Sequence, residues 1–497
     1  MKLSRRGFLR LTAAASASLV VSNALETLFA RAASGAAFRA EGYGPLLKDP
    51  DGLLDLPAGF QYRVLSTARR NADADARFTQ RLTNGELVPP LHDGMGAFRG
   101  PAGLTILVRN HELDFQDSPS VDGRRARPYD PLARGGTTTL WVDGERRLVR
   151  AFPSLSGTTR NCAGGVTPWG SWLTCEEAVD LPGEIDPINH DRSPRAGRRH
   201  GYVFEVDSRS EGLVDPLPLV AMGRFRHEAA AVDPATGFVY LTEDRVDGLL
   251  YRFRPEVVMK GSKRTRALTV GDLAKGGTLE ALRIIERPSA RTQNHDEGEP
   301  APSSRATPIG RRWKVDWVSI PNVDPDMDME WDPTDSQAAS PVDRRQRTAS
   351  TSTRAQGFAL GAAQFARSEG ITIRNRVIFF CCTDGGSAKL GQVWQFDVPK
   401  QELMLLVEPN DPGALDGPDN LTPAPNGDLL VCEDGIRDDY VVGITPHGRL
   451  YQLARNAYNA MEFAGACFAP DGRTLFVNVQ EPGMTFAIWG PWRKRRA

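Results

Sequence analysis

The sequence predicts an all-β fold, a six-bladed β-propeller with long loop insertions, and three observations predict it. Gly (48) and Pro (36) are plentiful in a chain of 497 residues, which favours many turns and short strands over long helices. One plan recurs: a turn with glycine, an apolar strand, then an acidic or amide residue at the strand end. Each copy is followed after a gap by a second strand pattern, and self-similarity of this kind marks propeller blades.

The copies run in order along the chain. The first covers residues 103–112 and ends in Asn110, His111 and Glu112; the second covers 170–177 and ends in Glu176 and Glu177. The third, 237–244, ends in Glu243 and Asp244, and the fourth, 377–384, ends in Asp384. The fifth, 427–434, closes on Glu433 and Asp434, and the sixth, 472–480, on Gln480. Residues 248–253 and 391–396 are examples of the second strand pattern. In a propeller the polar strand ends converge on one mouth of the central channel. Stretches near 181–200, 286–312 and 332–356 are rich in Arg, Asp, Ser, Pro and Thr without periodicity and read as surface loops.

The first 32 residues read as a targeting segment rather than structure. Ser4, Arg5, Arg6, Gly7, Phe8 and Leu9 precede a modest apolar run over 11–21, and Ala30-Arg31-Ala32 offers a cleavage site. Twin arginines of this kind are read by the Tat export route, so the Tat translocase is an expected partner during export. The apolar run is shorter than the ~20 residues of a spanning helix, and no stable membrane anchor is expected. The mature chain, 33–497, is then a single propeller domain in the periplasm or secreted, and a monomer. Tat carries folded proteins, so the chain folds in a reducing compartment. Cys162, Cys175, Cys381, Cys382, Cys432 and Cys467 therefore form no disulfide framework before export. Most lie in apolar strand-like runs; Cys162 lies in a glycine-rich loop.

Charge excludes one class of function. Lys+Arg 61 against Asp+Glu 62 gives a net charge of −1, no field to collect nucleic acid. The basic run Arg493, Lys494, Arg495 and Arg496 reads as a solvated tail. The seven histidines and the lack of H-E-x-x-H, paired C-x-x-C, P-loop or G-x-S-x-G patterns exclude the commonest zinc and hydrolase signatures. Carboxylates at strand ends are the recurring chemistry, and oxygen-rich sites suit hard cations.

Three segments concentrate that chemistry. Residues 160–177 join a bent loop carrying Cys162 to a short strand ending in Glu176 and Glu177, of which alternation points only one inward. Residues 223–233 place Glu228 between basic residues and a run of alanines, where a surface ion pair is the plain alternative. Residues 365–370 put Arg367 and Glu369 two apart, on one side if extended; arginine is the natural fork for phosphate oxygens, and an exposed salt bridge is equally allowed. The acidic run 324–330 resembles the opening of a calcium loop, but Met329 stands where that loop needs glycine.

Asn161 to Glu177, Arg226-His227-Glu228 with Thr242 to Arg245, and Arg367 to Gly370 resemble PhoX-type alkaline phosphatases. So do Gly417 to Leu421 and Glu462 to Phe468. The resemblance implies a six-bladed propeller holding two Fe3+ and two or three Ca2+ ions, and hydrolysis of small-molecule phosphomonoesters at alkaline pH. Carried over by position, Cys162, Glu177, Glu228 and Glu369 ligate the metals and Arg367 binds the substrate phosphate; because no side chain must be the nucleophile, a metal-bound oxygen is expected in that role. Asn110, Glu112, Asp419 and Glu433 occupy comparable positions and are further metal candidates. The chain is shorter than the best-known members, which suggests a subgroup with a trimmed rim. A calcium-dependent propeller lactonase and a non-catalytic exported binding propeller are the rival readings.

Overall fold

The computed structural model describes residues 42–68, 81–122, 127–183, 196–260, 263–264, 266–296, 299–300, 305–331 and 346–493. The export signal expected over 1–32, and residues 494–496 of the basic run, lie outside the described residues. Short antiparallel strands joined by glycine turns make up nearly all of the regular structure. The one α-helix among the described residues is Thr353–Ala359, where Ser352 Oγ accepts the Ala355 N–H at 3.2 Å as its cap. No helix among them is long and apolar enough to cross a membrane.

The arrangement is all-β and propeller-like. Six strands pack side by side in a closed order: His92–Arg99, Asn161–Val166, His227–Val232, Ser368–Arg374, Pro418–Pro423 and Phe463–Phe468, which returns to the first. All six line a cavity of about 390 Å³ along the axis. From each inner strand further strands step outward, as in His92–Arg99, Thr105–His111, Gly135–Val142 and Leu148–Thr158. The last sheet is closed by the chain's other end, because Gln61–Thr67 pairs with Met484–Trp489. Joining the two ends fastens the ring of sheets shut.

Six separate four-stranded sheets are not what forms. Among the described residues, sheets of three or more strands number five, because Arg312–Ser319 pairs with Gly277–Ile284 on one side and Glu402–Val407 on the other. That bridging strand welds the sheets of His227–Val232 and Ser368–Arg374 into one of nine strands.

The core is divided among the clefts between neighbouring sheets rather than gathered at the centre. One wedge holds Tyr240, Phe365, Phe380, Trp394 and Phe396; another holds Leu173, Val203, Phe225, Tyr251 and Phe253. At the axis the inner strands nearly touch. A Cβ on Gly165 would lie 2.0 Å from the Ala230 carbonyl oxygen, and one on Gly465, at φ 61°, would lie 2.3 Å from the Asp93 oxygen. Small residues at these points let the ring close.

Two sequence expectations need correction here. Cys162 lies within the strand Asn161–Val166, and its glycine-rich surroundings serve close packing rather than a bent loop. Of the stretches expected as surface loops, much lies outside the described residues; 286–312 ends at the exposed Arg312, whereas His200 of 181–200 and Arg354 of 332–356 are buried. All six cysteines are free and buried.

Candidate metal centre

Each inner strand carries the same irregularity at its start. The register shifts between His92 and Met95, Asn161 and Gly164, His227 and Ala230, Ser368 and Ile371, Pro418 and Leu421, and Ala464 and Cys467. A bulge re-aims the side chain beside it. The residues so placed are Asp93, Cys162, Glu228, Glu369 and Asp419, each second in its strand; in the sixth strand the shift falls one residue later, after Ala464, which pairs with Asn478. A second tier follows each neighbouring strand: Glu112, Glu177, Asp244, Thr383, Asp434 and Gln480. Their backbone N–H groups donate to the carbonyls of Leu91, Arg160, Arg226, Arg367, Gly417 and Glu462, which enter the inner strands. The two tiers are why acidic residues far apart in sequence meet at one mouth.

Glu228, Glu369 and Asp419 converge most closely: one carboxylate oxygen from each lies within 4.8 Å of the others, and all three are buried. Burial pushes each well above the usual carboxylate range, and the neighbouring acids push further. Glu228 accepts no hydrogen bond from a described residue, while Asp419 takes the Asn420 amide at 3.0 Å. Like charges this close cannot all ionise unless a cation stands between them. An all-oxygen, buried, under-satisfied set is the donor chemistry a hard cation requires, so the residues fit one.

Cys162 borders this set. Its Sγ donates to the carbonyls of His227 at 3.3 Å and Glu228 at 3.4 Å, and burial with the nearby Glu228, Glu177 and Asp93 charges pushes the thiol up. A metal binding there must displace that proton. Glu177 also reaches the mouth, where Arg160 holds one carboxylate oxygen and Arg226 the other, both at 2.9 Å. Arg367 donates to Asp244 and to Glu369, each at 2.9 Å, so its spacing from Glu369 makes the contact read from the sequence. Glu112 takes Arg160 at 2.9 Å and Gln480 at 2.8 Å beside them.

Two candidates are placed differently. Asn110 donates to the carbonyls of Cys162 and Ala163, both at 2.8 Å, and accepts from Trp172 at 2.8 Å and Thr174 at 2.9 Å. Its amide is spent on positioning the Cys162 strand. Glu433 accepts the N–H groups of Asp416 and Tyr440, each at 2.9 Å, and burial pushes it up to about 8. It ends its strand facing away from the mouth, as do Glu176 and Glu243. Glu176 is pinned by His200 at 2.6 Å and by the N–H groups of Thr159, Gly201 and Tyr202. The acidic run 324–330 binds arginine: Asp324 and Asp326 pair with Arg199, and Asp328 with Arg245 and Arg354.

Sequence reasoning missed Asp93 and Glu462. Burial lifts Asp93 to about 7, and Glu462 is raised by burial and by Asp419, Asp434 and Asp93. The signal was available. His92-Asp93-Gly94 and Pro418-Asp419-Asn420 repeat the step of Asn161-Cys162-Ala163, but the repeats were sought in the apolar strands that follow.

A family model described as alkaline phosphatase PhoX matches residues 41–483. The chain belongs to that family. Its activity class is accordingly phosphatase. The structure is similar to PhoX of Pseudomonas fluorescens in complex with vanadate, a transition-state analogue, at a TM-score of 0.61 and 18% identity, covering 90% of this chain and 97% of that one. A gluconolactonase of Xanthomonas campestris matches at a TM-score of 0.31 and 12% identity, over 81% and 97% of the two chains, which is too distant to argue from. No curated protein sequence matches.

Proposed function

We propose that this PhoX-family protein is an exported phosphatase that hydrolyses phosphomonoesters at alkaline pH with a cluster of two ferric and two or three calcium ions. The observation that carries the reading is the buried convergence of Glu228, Glu369 and Asp419 within 4.8 Å, directly beside the Arg367 guanidinium. We also read the nine-stranded sheet as two welded blades, which makes the propeller six-bladed around its six inner strands.

Glu228, Glu369, Asp419, Glu177 and Cys162 would hold the cations, with Asp93 and Glu112 in reach of the same mouth. Cations held there would supply charge neutralisation at the phosphoryl oxygens and would acidify a water bound to them. Phosphoryl transfer depends more on such neutralisation and on positioning than on covalent chemistry by the protein. Arg367 contributes positioning: Asp244 and Glu369 fix its fork, and about a third of the side chain (32%) is exposed, so it can meet a non-bridging oxygen. Asn110 sets the Cys162 strand, and the buried floor keeps bulk water from the charged groups. The twin-arginine segment carries the folded protein outward, so metal can be loaded before export.

Elemental analysis with an assay on p-nitrophenyl phosphate tests this. The wild type is expected to carry iron and calcium, to absorb visible light through a thiolate–iron transition, and to turn over at alkaline pH. Cys162→Ala should lose iron, colour and activity together. A variant that keeps native metal content and full activity would refute the role of Cys162.

A further inference from the structure

Three consecutive inner strands are entered through an arginine: Arg160, Arg226 and Arg367 stand two residues before Cys162, Glu228 and Glu369. Their carbonyls accept the N–H groups of Glu177, Asp244 and Thr383, the same bond at the same point of each repeat. The side chains therefore leave the backbone at equivalent places around one half of the mouth. The equivalent positions on the other half hold Gly417, Glu462 and Leu91, none of them cationic. The mouth's arginines at this point of the repeat are therefore gathered on one half, among the acids Glu177, Asp244 and Glu369.

The three arginines are exposed alike, at 34%, 29% and 32% of the side chain. They differ in how they are satisfied. Arg367 spends its Nε on Asp244 at 2.9 Å. The Nε–H groups of Arg160 and Arg226 are buried with no acceptor among the described residues, which is costly for a charged donor. Both arginines also lean on one carboxylate: Glu177 gives Oε2 to Arg160 and Oε1 to Arg226. A cation on Glu177 competes with both guanidinium partners for the same two oxygens. A cation on Glu177 also repels the two arginines, and a planar fork released at the mouth fits the oxygens of a phosphate.

We propose that Arg160 and Arg226 are substrate-positioning arms that join Arg367 in holding the phosphoryl oxygens: a cation on Glu177 frees Arg226, while Arg160 keeps Glu112 at 2.9 Å as its anchor, as Arg367 keeps Asp244. The inference rests on the phosphatase reading above. It assigns to two residues outside the metal set a role in phosphate affinity, with Glu177 as the point of exchange.

The test compares wild type with Arg226→Gln, Arg160→Gln and Arg226→Lys. Each metal-loaded protein is assayed for KM and kcat on p-nitrophenyl phosphate and for calorimetric binding of inorganic phosphate. Each is also melted with and without metal. With metal, either glutamine variant should raise KM and the phosphate Kd roughly tenfold, the loss of one charge-assisted hydrogen bond, with native metal content and a smaller change in kcat. Arg226→Lys should recover part of that affinity. Without metal, Arg226→Gln should melt below wild type because Glu177 loses a partner, and loading metal should erase the difference. Unchanged phosphate affinity at native metal content, or a melting deficit that persists with metal, would overturn the inference. A metal-loaded wild type that neither turns over nor binds phosphate would instead overturn the phosphatase reading and take this inference with it.

Discussion

Replacing Glu228 with glutamine should make the metal-free protein more stable while destroying its ability to keep metal. Glu228 is buried, accepts no hydrogen bond from a described residue, and has carboxylate oxygens of Glu369 and Asp419 within 4.8 Å. Glutamine has the same shape without the charge, so the substitution removes repulsion and leaves packing intact. At the 4.8 Å limit, two unit charges repel by about 3.5 kcal/mol at an effective dielectric of about 20. The protein evades part of this by keeping protons on the acids, whose affinities burial and mutual repulsion raise. At pH 9 that evasion weakens, and the net gain should be roughly 2–3 kcal/mol. Chemical denaturation in chelator at pH 9 measures the gain. Thermal melts with added metal measure the loss, because a ligand that binds only the folded state raises the melting temperature. Wild type should gain strongly from metal and Glu228→Gln should not. A variant less stable than wild type in chelator at pH 9 would refute the view that these acids are held together for a cation.

Other perturbations probe the supports. Asn110→Ala leaves two buried carbonyls, the Trp172 indole N–H and the Thr174 hydroxyl without their partner; it should cost about 3 kcal/mol in urea unfolding and lower metal content by displacing the Cys162 strand. His200 gives a pH signature. Burial alone would lower its pKa, but Glu176 at 2.6 Å and Asp130 at 3.1 Å carry it from 6.5 up to about 10. A raised folded pKa means that this contribution is full below pH 6.5 and is lost as pH rises through about 10. His200→Gln should therefore cost about 3 kcal/mol at pH 6 and flatten the fall in stability toward pH 10 seen in wild type.

The strand repeats and their polar ends were legible because alternation and glycine turns are local properties of the chain. Cys162, Glu177, Glu228, Glu369 and Arg367 each stood out by their immediate neighbours, but only the resemblance to PhoX-type phosphatases joined them into one set. What defeated sequence reasoning was the direction of a side chain at a strand end. Glu176 and Glu177 are adjacent, yet one pins the turn at Gly201 and the other faces the mouth. Glu433 looked like Glu177 in context, but its partners are the N–H groups of Asp416 and Tyr440. Asn110 looked like a ligand because it stands beside Glu112, and the Cys162 and Ala163 carbonyls claimed it first. Those carbonyls come from the neighbouring unit, and nothing within ten residues of Asn110 announces them.

By itself the sequence determined an all-β chain of repeated strands, the family, and the acids and thiol from which a metal site could be made. These follow from periodicity and residue chemistry, which need no knowledge of what lies across the molecule. Only the tertiary structure decided which acids meet. A bulge at the start of each inner strand turns its second residue toward one mouth, and ring closure sets Asp93 beside Asp419 although more than three hundred positions separate them. It also decided that the strands stepping out from His227–Val232 and from Ser368–Arg374 share one sheet, through the single strand Arg312–Ser319. The reason is the same in each case: burial and mutual repulsion act between residues that are neighbours in space, and only the closed ring makes them neighbours.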